Sequence, residues 1–302
     1  MNPDIVVPAP AKINLHLAVG GRRADGFHPI ASVFQAVSLE DVISIRLSEG
    51  RGVSVAGDCG CPENRNTAYR AAIGFAEAAE SSGSPLPRIN VSVEKRIPIG
   101  AGLGGGSSDA ASTLRGLACL FPGAVDRESL SRIAALVGSD VPFFMGTACA
   151  AVTGRGERLS PVAPRTDYAI VIADPGFPVS TKEAYGLLDR SRESVPAMAQ
   201  PSDDAMGAEL ASAVAAYGAM DPSRWPFRND FFDALRPSFP GLAECRDALV
   251  SAGAAFAALS GSGSAVFGVF ASAGEAVRAA SALSPRYSAH IAFPLARLTD
   301  SI

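Results

Sequence analysis

Hydrophobic and polar residues alternate along 5–19, where Val6 and Val7 precede Ile13, Leu15, Leu17 and Val19. Alternation predicts a strand with one buried face. Pro8 and Pro10 lack an N–H for the ladder and are expected to interrupt it. Lys12 and Asn14 share one face, opposite Ile13 and Leu15, and line either a solvated surface or a polar pocket. Gly20 to His28 reads as a turn. Period-two patterns return over 33–37, 42–47 and 53–55, so this region reads as a β-rich antiparallel meander. The period then changes. Ala71, Ala72, Phe75 and Ala79 recur at helical spacing, in a helix expected to begin at Glu63–Asn66 with Asn66, or an asparagine near it, as N-cap. Ile89 to Val93 alternates again, helices are predicted over 107–120 and 126–137, and 147–153 reads as a strand followed by a turn at Gly154–Glu157.

Beyond a Pro-rich seam at Pro161–Pro164, Tyr168–Ala173 reads as a buried strand and 180–188 as a helix capped by Ser180 or Thr181. Residues 191–207 are rich in Ser, Pro and Asp and read as a surface loop. Helices are predicted over 203–218, 239–252 and 273–284, and strands over 254–259, 265–270 and 287–295. This half therefore reads as α+β, helices on an antiparallel sheet. The seam divides the chain into domains 1–162 and 163–302.

Composition narrows the function classes. Hydrophobic residues make up 48% of the 302 and charged residues 19%, enough for a sizeable core. The net charge of −4 argues against nucleic-acid or acidic-membrane binding, which needs a basic surface. It leaves room for a small anionic ligand held by local positive potential. The first twenty residues show no basic segment before an apolar core, and no apolar run approaches a membrane span, so a cytoplasmic protein is expected. Five cysteines are scattered through the chain. Cys59-Gly60-Cys61 invites a metal or redox reading, but without a second pair or a histidine cluster, reduced thiols are expected. Only Lys12, Lys95 and Lys182 are lysines among 26 basic residues. This is either chance or a sign that an ammonium serves where a planar fork would not.

The candidate chemistry centres on Pro98-Ile99-Gly100-Ala101-Gly102-Leu103-Gly104-Gly105-Gly106-Ser107-Ser108, with five glycines among the seven residues 100–106. A strand, a glycine-rich loop and a helix in that order make a phosphate cradle, because the first N–H groups of a helix lack partners and carry partial positive charge. The competing reading is a tight turn. No Gly-Lys-Ser/Thr closes a Walker loop. Gly100, Gly102 and Gly105 fit G-x-G-x-x-G, with Asp126 about where a dinucleotide site wants an acid. The context does not fit, since a second helix follows and no strand leads into Asp126. Asp109 reads as structural, suited to the dipole of the first helical turn. Asp140, ahead of Val141-Pro142-Phe143, is expected to be buried, and a buried carboxylate needs a partner: a backbone N–H, or a lysine and a substrate hydroxyl. The second Gly/Ser loop, Ser260–Ser264, contains no G-x-S-x-G hydrolase elbow.

Pro98–Ser108 resembles the phosphate-binding motif of the GHMP kinase superfamily. Pro10–Leu15 resembles its first motif and Leu259–Phe270 its third. Arg23–His28, Gly138–Phe143 and Phe227–Phe231 resemble the branch that acts on a cytidyl diphosphate sugar alcohol in the non-mevalonate isoprenoid pathway. The resemblance implies an α+β fold with a ribosomal-protein-S5-like N-terminal domain, a C-terminal ferredoxin-like α/β sandwich and an active site in the cleft between them. It further implies transfer of phosphate from ATP, with Mg²⁺, to the 2-hydroxyl of a methylerythritol unit. Lys12 and Asp140 match the catalytic pair, and Asn14 matches a substrate-contacting asparagine. Lys95 and Asn66 match positions near adenine, Asn66 in competition with its capping role. Ser107 and Ser108 would meet phosphate or Mg²⁺, with the metal held largely by ATP and water for want of a dedicated acidic ligand. Phe27 and His28 match an aromatic–histidine pair at the cytidine site, where the family usually has tyrosine in place of Phe27; stacking survives that change and a hydroxyl contact does not. Tyr185 falls where a second stacking aromatic is expected, and Thr181 is placed with the acceptor. A monomer and a weak homodimer both remain open. Another GHMP kinase, of homoserine or mevalonate type, is the alternative, with no reason to keep Asp25–His28. A non-catalytic nucleotide-binding protein would dispense with Lys12 or Asp140.

Overall fold

The computed structural model describes residues 4–193 and 201–298. The first half forms β1 (Ile5–Val19), β2 (Ile30–Ser48), β3 (Val53–Ala56), α1 (Thr67–Ser81), β4 (Arg88–Glu94), α2 (Gly105–Leu120), α3 (Arg127–Val137), α4 (Val141–Gly146), β5 (Cys149–Thr153) and β6 (Arg158–Pro161). The second half forms β7 (Ala169–Asp174), α5 (Thr181–Ser191), α6 (Asp203–Ala219), α7 (Asp230–Leu235), α8 (Pro240–Ser251), β8 (Phe256–Leu259), β9 (Val266–Phe270), α9 (Ala273–Leu283) and β10 (Ser288–Ala292). Strands β1–β6 make one sheet in the order β3-β4-β2-β5-β6, with β1 on the other side of β2, and β10-β7-β9-β8 make a second, antiparallel sheet. The α+β expectation holds.

Three differences from the sequence reading have physical causes. Pro8 and Pro10 do not break β1, which pairs with β2 throughout and, among the described residues, has no strand on its other side. On an edge strand the missing proline N–H groups can face away from the ladder. The two strands expected at 33–37 and 42–47 are one, β2, which absorbs a register shift opposite Pro10/Ala11. β3 pairs parallel to β4, so the first sheet is mixed rather than an antiparallel meander. The connection between them, α1, is long enough for a crossover. Of the loop expected over 191–207, residues 194–200 lie outside the described residues, and 203 onward is already α6.

The helix ends follow local chemistry. Asn66 caps α1 through its side-chain oxygen, Asp126 caps α3 and Ser180 caps α5. Asp126 thus has a capping role, with no strand leading into it as a dinucleotide site requires. The alternation in β1 sends Ile13 and Leu15 into a core shared with Ile170, Ile172 and Phe267 of the second sheet and Leu210 of α6. The opposite face, with Phe34, packs against Leu114 of α2 and Phe143 and Phe144 of α4. No helix among the described residues is long and apolar enough to cross a membrane.

His16 is buried in β1. Its Nδ1 accepts from the Arg228 backbone N–H at 3.4 Å, and its Nε2 lies 3.5 Å from Glu209. Burial pushes its pKa down to about 4, more strongly than the attraction of Glu209 raises it. The folded chain therefore resists a proton that the unfolded chain accepts, so stability is lost as pH falls from about 6.5 towards 4. At about 1.4 kcal/mol per pKa unit, this residue should account for roughly 3 kcal/mol. Urea unfolding from pH 7 to 4 should show that loss in the wild type and a flatter slope in His16→Asn; parallel slopes would refute the assignment.

Candidate active site

The glycine loop begins with a charge clamp. One Asp41 oxygen, fully buried, accepts from the N–H groups of Arg96 and Ile97 at 2.6 and 2.8 Å, and the other takes the Lys95 ammonium. Lys95 also reaches Asp109 at 2.9 Å. Burial acts to lower the Lys95 pKa, but Asp109 and Asp41 outweigh it and hold the ammonium above its ordinary value. Burial pushes Asp109 up to about 7 against the pull of Lys95, and the neighbouring Asp41 carboxylate adds to the rise. Asp109 lies in the second turn of α2 rather than the first turn expected of it, where it joins this clamp and also borders the cavity beside the glycine loop. That helix starts at Gly105, two residues before its predicted start, because Gly104 caps it in the left-handed region at φ 73°.

The loop and the start of α2 border a cavity of about 330 Å³, lined by Pro98–Ser107 together with Asn66, Thr67, Lys95 and Asp109. Ten of the eleven loop residues predicted to bind ATP, 98–107, are on this lining, as are Lys95 and Asn66. Ser108 is not: its side chain is buried and its hydroxyl has no hydrogen-bond partner. Asn66 spends its oxygen on the N–H groups of Ala68 and Tyr69, and its side chain also bonds Cys59. Cys59 and Cys61 border the same cavity as free thiols. Among the described residues no group of three or more His, Cys, Asp and Glu could hold a metal ion.

Lys12 is almost fully buried. Its ammonium donates to Asn14 Oδ1 at 2.6 Å and to the Gly102 carbonyl at 3.0 Å, and lies 3.8 Å from Asp140 Oδ2. Burial lowers its pKa, and Asp140 opposes that shift. The shared face of Lys12 and Asn14 is thus a polar pocket. Asn14 is itself held by its amide donating to Ser32 Oγ at 2.9 Å. Asp140 immediately precedes α4 but does not cap it. Its side chain is 26% exposed, contrary to the burial expected, so the carboxylate faces a cavity with Lys12 as its cation. That cavity, about 250 Å³, is also lined by Asn14, Gly102 and Gly104. The second Gly/Ser loop forms its far wall through Gly261 and Ser262. Asn229 fixes that loop by donating to Leu259 O and Gly261 O at 2.8 and 2.9 Å.

A third cavity, about 700 Å³, is lined by Phe27, His28, Thr181, Tyr185 and Asp189. Phe27 is 52% exposed and carries the Arg155 guanidinium 4.0 Å above its ring. His28 is buried rather than a solvated loop histidine; it stacks on Tyr185 at 4.8 Å and bonds Asp189 through Nε2 at 2.8 Å. A carboxylate only accepts, so Nε2 carries the proton towards it. Tyr185 thus stacks on protein, and Phe231 meets its edge at 4.9 Å. Thr181 reaches Ser262 at 3.2 Å. Sequence reasoning missed Asp41, Arg155 and Asp189. Only Asp189 left a signal, standing four residues after Tyr185 on a predicted helix and hence on the same face.

The GHMP kinases N terminal domain model matches residues 66–147, and the GHMP kinases C terminal model matches 210–289. A 4-diphosphocytidyl-2-C-methyl-D-erythritol kinase of Treponema pallidum is 39% identical over 280 residues, 92% of this chain and 94% of that protein. One of Rhodococcus jostii is 37% identical over 285 residues, 93% of this chain and 88% of that protein. A crystal structure of a 4-(cytidine 5'-diphospho)-2C-methyl-D-erythritol kinase superposes with a TM-score of 0.79 at 34% identity, covering 96% of this chain and 98% of the other. A homoserine kinase from Cytophaga hutchinsonii shares the fold at a TM-score of 0.73 but only 20% identity, over 99% of this chain and 96% of the other. With its three motifs meeting at one set of cavities and its length matched by these kinases, the chain belongs to the 4-diphosphocytidyl-2-C-methyl-D-erythritol kinase family of GHMP kinases.

Proposed function

We propose that the chain transfers the γ-phosphoryl group of ATP to the 2-hydroxyl of 4-diphosphocytidyl-2-C-methyl-D-erythritol, in isoprenoid precursor synthesis in the cytoplasm. The observation that carries this reading is the order of the three cavities. Gly102 and Gly104 line both the glycine-loop cavity and the cavity of Lys12 and Asp140. Thr181 and Tyr185 line both the latter and the cavity of Phe27 and His28. A nucleotide, a transfer centre and a base site thus lie in a row.

In this arrangement the N–H groups opening α2 hold the ATP phosphates. Asp140 accepts the proton of the attacking hydroxyl through its exposed oxygen. Lys12 pairs with that carboxylate at 3.8 Å and lies towards the charge that develops on the transferring group. Phosphoryl transfer depends chiefly on such positioning and charge neutralisation. Asn14 orients Lys12 and, on the same strand face, the acceptor. Phe27 offers a ring for the pyrimidine and His28 a bond to its edge. Mg²⁺ would supply neutralisation of phosphate charge; Ser107, at the start of α2, is the protein hydroxyl that would help to hold it, with the nucleotide's own phosphates. The first domain, 1–162, supplies the glycine loop and the catalytic pair, and the second, 163–302, supplies Thr181, Tyr185 and the second Gly/Ser loop.

Asp140→Asn should lower kcat by roughly 10²–10⁴-fold with little change in the KM for ATP. Near-normal turnover in an ADP-release assay would eliminate Asp140 as the base. Lys12→Arg should also fail, since a planar fork does not reproduce the donation of one ammonium to both Asn14 Oδ1 and Gly102 O beside Asp140; wild-type kcat/KM would disprove this. ATP consumption with the cytidyl substrate should far exceed that with homoserine or mevalonate, and a reversed preference would overturn the acceptor. A Cβ on Gly102 would stand 2.1 Å from Ser260 O, whereas one on Gly100 meets nothing within 4 Å although both residues have positive φ. Gly102→Ala should therefore abolish turnover and lower the melting temperature, while Gly100→Ala costs only the roughly 1–2 kcal/mol of a left-handed residue. Equal effects would show that the loop contact is unimportant.

A further inference from the structure

Four residues line both the transfer cavity and the base cavity: Ser139, Arg155, Thr181 and Tyr185. They form the waist between the two, and Arg155 is the one charged group among them. Its place follows from the turn Gly154–Glu157 that joins β5 to β6. One N–H of the guanidinium donates to Asp25 at 2.6 Å, and its plane lies over Phe27. A guanidinium has five N–H groups in a rigid fork, so neither contact exhausts it. The side chain is 49% exposed and open to a ligand.

We propose that Arg155 binds the diphosphate bridge of the acceptor substrate, with the hydroxyls of Ser139 and Thr181 beside it. The inference rests on the function proposed above and deepens it. In a nucleoside diphosphate ester the diphosphate separates the base from the alcohol. A base against Phe27 and an alcohol at Asp140 leave it only the waist to cross. Two negative charges must pass from the base cavity, walled by Asp189, to the transfer cavity, walled by Asp140, and Arg155 is placed to offset them. Arg22 and Lys182 line the base cavity alone. A planar fork meets two phosphate oxygens at once, which an ammonium does not, and Arg155 keeps Phe27 in place while doing so.

A supporting role for Phe27 and a phosphate-binding role predict different results. Calorimetry with cytidine and with cytidine diphosphate, on wild type, Arg155→Ala and Arg155→Lys, separates them. If Arg155 holds the diphosphate, Arg155→Ala should bind cytidine diphosphate roughly ten- to a hundredfold more weakly, the range for a lost hydrogen bond to a charged group. Its affinity for cytidine should stay within a few-fold of wild type. Arg155→Lys, which keeps the charge, should recover part of the loss, and the wild-type preference for the diphosphate should shrink as salt rises. In turnover the KM for the cytidyl substrate should rise while that for ATP does not. Equal losses for cytidine and cytidine diphosphate would reduce Arg155 to a support for Phe27 and overturn the assignment. Wild-type protein that binds neither would instead overturn the acceptor reading beneath it.

Discussion

The carbonyl oxygen of Gly102 is the point on which the site depends. It accepts from the Lys12 ammonium, 90 residues away in sequence, and from the Ser260 hydroxyl, 158 residues away. One backbone atom thus joins the first strand, the phosphate loop and the second Gly/Ser loop. The approach is so close that residue 102 cannot carry a side chain. The adjoining bond from Ala265 N–H to Ala101 O extends the contact. The same carbonyl takes up one of the protons of Lys12. Together with Asn14, it leaves the ammonium aimed at Asp140 while keeping a buried cation partnered, as burial requires.

An open strand edge is ordinarily a hazard that proteins cover. Here the edge of β1 is where the site is assembled. Lys12 N–H donates to Leu103 O, docking the glycine loop, and Leu17 N–H donates to Arg228 O, docking the segment that leads to Asn229. Asn229 in turn holds the second Gly/Ser loop and caps α7. The strand that carries Lys12 and Asn14 on one face therefore also positions both loops through its backbone. This geometry allows a cation on β1 to lie between a nucleotide cavity and an acceptor cavity. It also tolerates Pro8 and Pro10, which a central strand would not.

What could be read from the sequence was set by neighbours along the chain. Asn66, Asp126 and Ser180 cap helices because their oxygens reach N–H groups two or three residues on, and the alternation from Ile13 to Leu15 gave the buried face directly. The motif resemblance brought Lys12 and Asp140 together, which no local pattern could do. The rest depended on distant partners. β3 runs parallel to β4, and β2 is continuous, because of what each pairs with. Asp41 is an unremarked acid in a strand until Lys95, Arg96 and Ile97 fold back onto it. Asp140 was expected to be buried because the residues after it are apolar, but it precedes α4 at the cavity wall and its carboxylate is turned outward. Arg155 read as part of a turn, since nothing nearby in sequence indicates that the turn faces the waist between two cavities.

The three lysines acquire a common explanation from the same geometry. Lys12 lines the transfer cavity, Lys95 the nucleotide cavity and Lys182 the base cavity. At two of them the structure shows why an ammonium serves. Lys12 makes contacts in divergent directions, to Asn14, Gly102 O and Asp140, and Lys95 bridges Asp41 and Asp109. A tetrahedral group with three donors satisfies such a set, whereas a guanidinium directs its donors within one plane. Where the partner is a single carboxylate and the approach is open, as at Arg96 with Glu94, the chain uses the fork. At Lys12 and Lys95 the cation thus suits the shape of what it must hold, and at the waist, where two phosphate oxygens would lie side by side, the residue is arginine.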